Sequence, residues 1–120
     1  MTHYRISRFA LQDIDLIRIW TTRRFGDRAA DRYNLLIEQA ILDVAEDPLR
    51  PSSYSCPQLG QLARCYHLRN SRKRAGSSQN RVKRPRHFLL YRITSEKDIE
   101  NGRVLHDEME LPRELWDVSR

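Results

Sequence analysis

The sequence predicts an α+β domain, an N-terminal strand and helical hairpin packed on a small, largely antiparallel four-stranded sheet, in the order β-α-α-β-β-β. Two observations carry that expectation. Between residues 10 and 44 the apolar side chains recur at helical spacing in two runs broken by Gly26. Between residues 64 and 109 three strand-length stretches follow one another with no helical run among them. A chain of 120 residues suits one domain spanning 1–120, and it buries roughly two-thirds of its unfolded surface without staples.

Tyr4 to Arg8 alternates as a first strand. In ALQDIDLIRIWTTRRF, residues 10–25, the side chains Ala10, Ile14, Ile17 and Thr21 share one helix face. Arg23 and Arg24 fall in the last turn, where positive charge complements the helix dipole, and Gly26 stops the helix. Asp27 is placed to cap the second helix. That helix buries Ala30, Tyr33, Ile37, Ala40, Ile41 and Val44 and ends before Pro48. Residues 48–63 hold three of the five prolines and read as turns. The strands that follow are Arg64 to Arg69, then Arg86 to Ile93, apolar on both faces and so central, then Gly102 to Met109. Lys97 and Asp98 sit in the turn between the last two, and Pro112 opens a short terminal turn.

Charge is distributed unevenly over this frame. The formal net charge is +6, and from Asn70 to Arg86 there are Arg72, Lys73, Arg74, Arg81, Lys83, Arg84 and Arg86 with no acid. The segment reads as a basic, flexible loop at about 70–86, suited to an acidic partner. It contains no Phe, Tyr or Trp for base stacking, so contact with nucleic acid there is expected to be non-specific. Cys56 and Cys65, separated by eight residues, match no zinc spacing and read as free, buried thiols. No apolar run approaches the roughly 20 residues of a membrane span, and the start has no signal layout, which makes a cytoplasmic location the expectation. No cofactor or metal motif is present.

A set of short motifs, in order, carries a resemblance. Ile6-Ser7, Ala10, Asp13-Ile14, Ile19-Trp20 and Phe25-Gly26 are followed by Ala30-x-x-Tyr33 and Asp47-Pro48. Then come Cys65-Tyr66-His67-Leu68-Arg69, His87-Phe88-Leu89-Leu90-Tyr91-Arg92, and Arg103 to Met109 before Pro112-Arg113. From about Tyr4 to Leu115 the chain resembles the RelE/ParE superfamily of bacterial toxins, closer to the ParE branch. The resemblance implies the toxin of a two-gene type II toxin–antitoxin module, partnered by an antitoxin with an acidic, disordered C-terminal segment. ParE-branch members poison DNA gyrase, and RelE-like members cleave ribosome-bound mRNA. The basic insertion at 70–86 is longer than the hairpin typical of the family.

Residue chemistry favours the binding branch. Metal-free RNA cleavage needs a base, an acid and cations on the phosphate. After His106 the tail DEMELPRELWDVSR holds no Tyr, His or Lys, so no catalytic residues are assigned. Were the chain a nuclease, His106 with Arg92 and Arg103 would be the set. Target contact is assigned to Arg103, Met109, Arg113 and Trp116, although Trp116 reads equally as a cap on the core. Antitoxin contact is assigned to Leu16, Ile19, Leu35 and Leu42, which point away from the hairpin's core stripe. A third class is an inactive homologue that only binds antitoxin.

Overall fold

Helical periodicity and strand alternation resolve, in a computed structural model, into a five-stranded sheet with two helices on one face. The structure describes residues 3–77, 79–94 and 98–116. Strand β1 is Tyr4–Ile6, followed by α1, Arg8–Phe25, and α2, Asp27–Glu46. The remaining strands are β2, Tyr54–Ser55; β3, Ala63–His67; β4, His87–Ile93; and β5, Ile99–His106. Their order across the sheet is β1-β5-β4-β3-β2, with β1 parallel to β5 and the other pairs antiparallel. The apolar run of β4 is central, as its two-faced pattern requires.

Ser7 begins α1. Its hydroxyl accepts the Ala10 N–H at 3.0 Å and donates to the Gly102 carbonyl at 2.8 Å, so one side chain caps the helix and ties it to β5. Gly26 ends α1 and starts α2, with φ at 91°, a conformation that L side chains rarely adopt. The expected Asp27 cap is corrected accordingly: Gly26 holds the cap position and Asp27 is the first helical residue, where its charge favours the dipole. Every residue of the expected α2 stripe faces inward, and Leu36 joins them. Each large apolar side chain buried there contributes about 1.5–3 kcal/mol.

Three other expectations change. The sheet has five strands, because Tyr54 and Ser55 pair with Cys65 and Arg64 in a stretch read as turns. The last strand spans Ile99–His106, three residues earlier than expected, because Tyr4, Arg5 and Ile6 pair with Ile99, Glu100 and Asn101. Asp107 to Met109 therefore lie beyond it. Finally, Leu68–Arg74 forms a 3-10 helix at the start of the basic segment. Ser71 there is fully buried, and its hydroxyl reaches Asp43 Oδ2 of α2 at 2.5 Å, while Arg74 pairs with the same oxygen at 2.9 Å. Lys97, placed in a turn by its sequence, lies outside the described residues, whereas Asp98 accepts the Thr94 N–H through its backbone carbonyl.

The two sheet faces hold two separate cores. Tyr66, Leu89, Tyr91 and Val104 pack under the helices, against Ile37, Ile41 and Val44 of α2. Cys56, Ala63, Cys65, Leu90 and Leu105 form the opposite face, covered by Leu59, Leu115 and Trp116.

Candidate functional site

Alternation along each strand decides which candidate residues meet. His106 follows Val104 by two residues and shares the helix-side face, where His87 stands directly across from it. The two rings meet edge-on with centroids 5.2 Å apart. Tyr33 of α2 closes the group: its hydroxyl lies 2.6 Å from His87 Nδ1 and accepts the Arg86 N–H at 3.0 Å. Burial, reinforced by the neighbouring His106, drives His87 down to about 4. His87 is thus neutral at pH 7 and shares one hydrogen bond with the Tyr33 hydroxyl through Nδ1. Burial likewise pushes the Tyr33 phenol up to about 12. Both groups are poorly matched to proton transfer at neutral pH.

His67 belongs to the opposite face with Cys65. Its Nδ1 accepts the Arg69 N–H at 3.1 Å, so Nε2 carries the proton and donates to Asp107 Oδ2 at 2.8 Å. Arg86 holds the other Asp107 oxygen at 3.2 Å and Glu108 at 2.6 Å. Burial alone would raise the Asp107 carboxyl, but the bonds from His67 and Arg86 outweigh it and hold the group below its ordinary value.

The conditional nuclease set does not come together. Arg92 stands opposite Glu100 at the far end of β4 from His87, a span of five residues, or about 16 Å. It pairs with Glu100 at 2.8 Å and lies over the Trp116 ring at 4.4 Å. Arg103 grips Asp13 of α1 through two bonds, of 2.7 and 2.8 Å, and donates to the Glu114 carbonyl. Asp13 also accepts the Val104 N–H at 2.9 Å, so this carboxylate covers the edge of β5 beyond β1.

The residues assigned to target contact divide. Met109 and Arg113 are exposed, whereas Arg103 is held inside the fold. Trp116 caps the second core: its indole N–H donates to the Leu59 carbonyl at 2.9 Å, over Gly60 and Gly102. A Cβ on either glycine would stand 2.6 Å from the ring. Gly102 is also the extra residue of a β-bulge, where Leu90 pairs with Arg103 and Tyr91 with Asn101.

All four residues assigned to antitoxin contact are exposed: Leu16, Ile19, Leu35 and Leu42. Helical spacing places them on two flanks. Arg18 of α1 pairs with Asp31 of α2 at 2.6 Å, which marks the groove between the helices. Leu35 lies four residues after Asp31, and Leu42 seven after Leu35, so both border that groove, as does exposed Leu11, seven before Arg18. Leu16 and Ile19 lie on the other flank of α1, beside exposed Trp20. Trp20 and Phe25 stack edge-on at 5.9 Å, and Arg24 lies 5.0 Å over the Trp20 ring. Leu11, Trp20 and Phe25 were not assigned from sequence, although the apolar excess of α1 outside its core stripe was a usable signal.

Both cysteines are free and buried, and burial pushes the Cys65 thiol well up. Among the described residues no group of three His, Cys, Asp or Glu could hold a metal ion. No described helix is long and apolar enough to cross a membrane.

A helical hairpin on one face of a five-stranded sheet, with exposed apolar side chains on its outer surface, defines a small α+β protein. The family model for the ParE toxin of the type II toxin–antitoxin system parDE matches residues 4–111, and the chain belongs to that family. A solved structure, the chromosomal ParDE toxin–antitoxin system from P. aeruginosa, matches with a TM-score of 0.64 at 17% identity, over 90% of this chain and 98% of that one. No curated protein matches the sequence.

Proposed function

We propose that this toxin acts in the cytoplasm by docking on DNA gyrase, and that a cognate antitoxin neutralises it by covering the outer surface of the helical hairpin. Membership of the ParE family supports the first part. The observation that carries the binding mechanism is the separation of His106 from Arg92 and Arg103, on opposite sheet faces and with both arginines committed to internal carboxylates. A phosphodiester cleaved without metal would need those groups converging on one phosphate. The exposed end of the tail, Met109 and Arg113, is the better placed half of the assigned target surface.

The antitoxin reading rests on exposed Leu11, Leu35 and Leu42 along the interhelical groove, with Leu16, Ile19 and Trp20 on the neighbouring flank. An antitoxin segment that folds on binding would gain its grip from these side chains. Two experiments test the proposal. Expression of the chain alone is expected to induce the DNA-damage response and accumulate gyrase-cleaved DNA. Fragmented messenger with arrested translation would refute gyrase as target, and unimpeded growth would leave only the antitoxin-binding role. For the antitoxin, Leu35→Asp with Leu42→Asp is expected to abolish co-purification, and an undiminished complex would refute the assigned surface.

A further inference from the structure

The basic segment spends about half its cations on its own structure. Arg72 Nε donates to the Val82 carbonyl at 2.6 Å, and Arg81 donates to the Lys73 carbonyl at 3.0 Å. Arg74 pairs with Asp43, and Arg86 with Asp107 and Glu108. The first two bonds act across the loop like the rungs of a hairpin and bring the run 72–74 beside the run 81–84. Val82 packs on the helix-side core, and Pro85 is buried. What remains outward is Lys73, Lys83 and Arg84, all exposed and, among the described residues, without a side-chain hydrogen bond or ion pair.

We infer that Lys73, Lys83 and Arg84 form a binding surface for the phosphodiester backbone of duplex nucleic acid, independent of base sequence. Three properties select this ligand. No acidic residue interrupts the segment from Asn70 to Arg86, and the carboxylates that reach it from other elements, Asp43, Asp107 and Glu108, pair with Arg74 and Arg86 rather than with these three cations. The segment itself carries no exposed large apolar side chain among the described residues, the nearest being on α2, where the antitoxin is proposed to dock. An acidic peptide would therefore gain charge contact without an anchor, whereas a polyphosphate binds through charge alone by releasing its condensed counterions. The absence of Phe, Tyr and Trp from the segment removes the stacking platform that single strands require, which leaves the duplex.

The test uses the full chain and a fluorescein-labelled duplex of scrambled sequence, with anisotropy read at several salt concentrations. Three phosphate contacts predict a log–log salt slope near −2.7, from about 0.9 per contact. The triple variant Lys73→Gln, Lys83→Gln, Arg84→Gln is expected to flatten that slope nearly to zero and weaken binding at least tenfold at low salt. An unchanged melting temperature would show that it still folds, since these side chains hold nothing inside the protein. Duplex binding that survives in the triple variant would overturn the assignment. So would a poly-glutamate peptide of equal charge that competes as well as DNA, because the surface would then be a clamp for acidic peptides. A gyrase assay on the same variant reads the proposed target separately, so either inference can fail alone.

Discussion

The two faces of the sheet are closed in different ways. On one face, α1 and α2 lay a continuous apolar stripe over Leu89, Tyr91 and Val104. On the other, a short tail segment places Leu115 and Trp116 over Leu90, Leu105 and the two cysteines. The helical cover is held by the 39-residue hairpin of residues 8–46 plus the Ser7 and Asp13 bonds to β5. The tail cover depends on the indole hydrogen bond, the Arg103 bond to the Glu114 carbonyl, a cation–π contact with Arg92 and the clearance left by Gly60 and Gly102. Stability is therefore expected to rest mainly on the helical face.

Leu89→Ala strikes the helical face and is expected to cost about 4 kcal/mol in urea unfolding, since a fully buried leucine leaves an unfilled cavity. Asp13→Ala should follow at about 3 kcal/mol, because it strands the half-buried Arg103 guanidinium and an edge N–H of β5 together. If this variant were neutral, the link between hairpin and sheet edge would lie elsewhere.

A pH series sharpens the same comparison. His87 is neutral in the fold down to about 4, while the unfolded chain binds a proton below its ordinary value of 6.5. Stability should therefore fall as pH drops from 6.5 to 4 and level off below, by roughly 2 kcal/mol once screening of its part-exposed ring is allowed for. His87→Asn should flatten that portion of the profile, and urea midpoints across the range measure it. Asp43 titrates lower. Burial would raise its carboxyl, but Ser71, Arg74 and Gln39 hold it below its ordinary 3.8, so its contribution is present above that value and is lost as pH falls below it.

The smallest effect is expected on the tail. Trp116→Ala should cost about 1–2 kcal/mol, less than a core aromatic, because the side chain is only half covered. Its readout is proteolysis: the tail should be clipped early while the domain survives. A loss as large as that of Leu89→Ala would erase the distinction between the faces.

Much of this architecture was legible in residue spacing, and the exceptions share a cause. The α2 stripe was read correctly because period and burial coincide over about four turns, from Ala30 to Val44. Strand β2 was missed because two residues between prolines carry no pattern, and only pairing with Cys65 and Arg64 makes them a strand. The start of β5 was missed because Glu100 and Asn101 are polar yet buried, the first by Arg92 and Arg5, the second by a bond to the Arg5 carbonyl. The 3-10 helix depends on Asp43, 28 residues from Ser71, which no local window includes. At the site, exposure of Leu16, Ile19, Leu35 and Leu42 followed from helical geometry, whereas the commitment of Arg103 to Asp13 spans 90 residues and was invisible.

The lone glycine joining the helices has a consequence for any protein that grips the hairpin. With a single linking residue there is no slack to absorb a change in length. Inserting one residue at position 26 would lengthen this joint and let α2 shift against α1, carrying the leucines out of line. The spacing between the two leucine-bearing flanks is thus a fixed gauge, and a partner must be cut to match it.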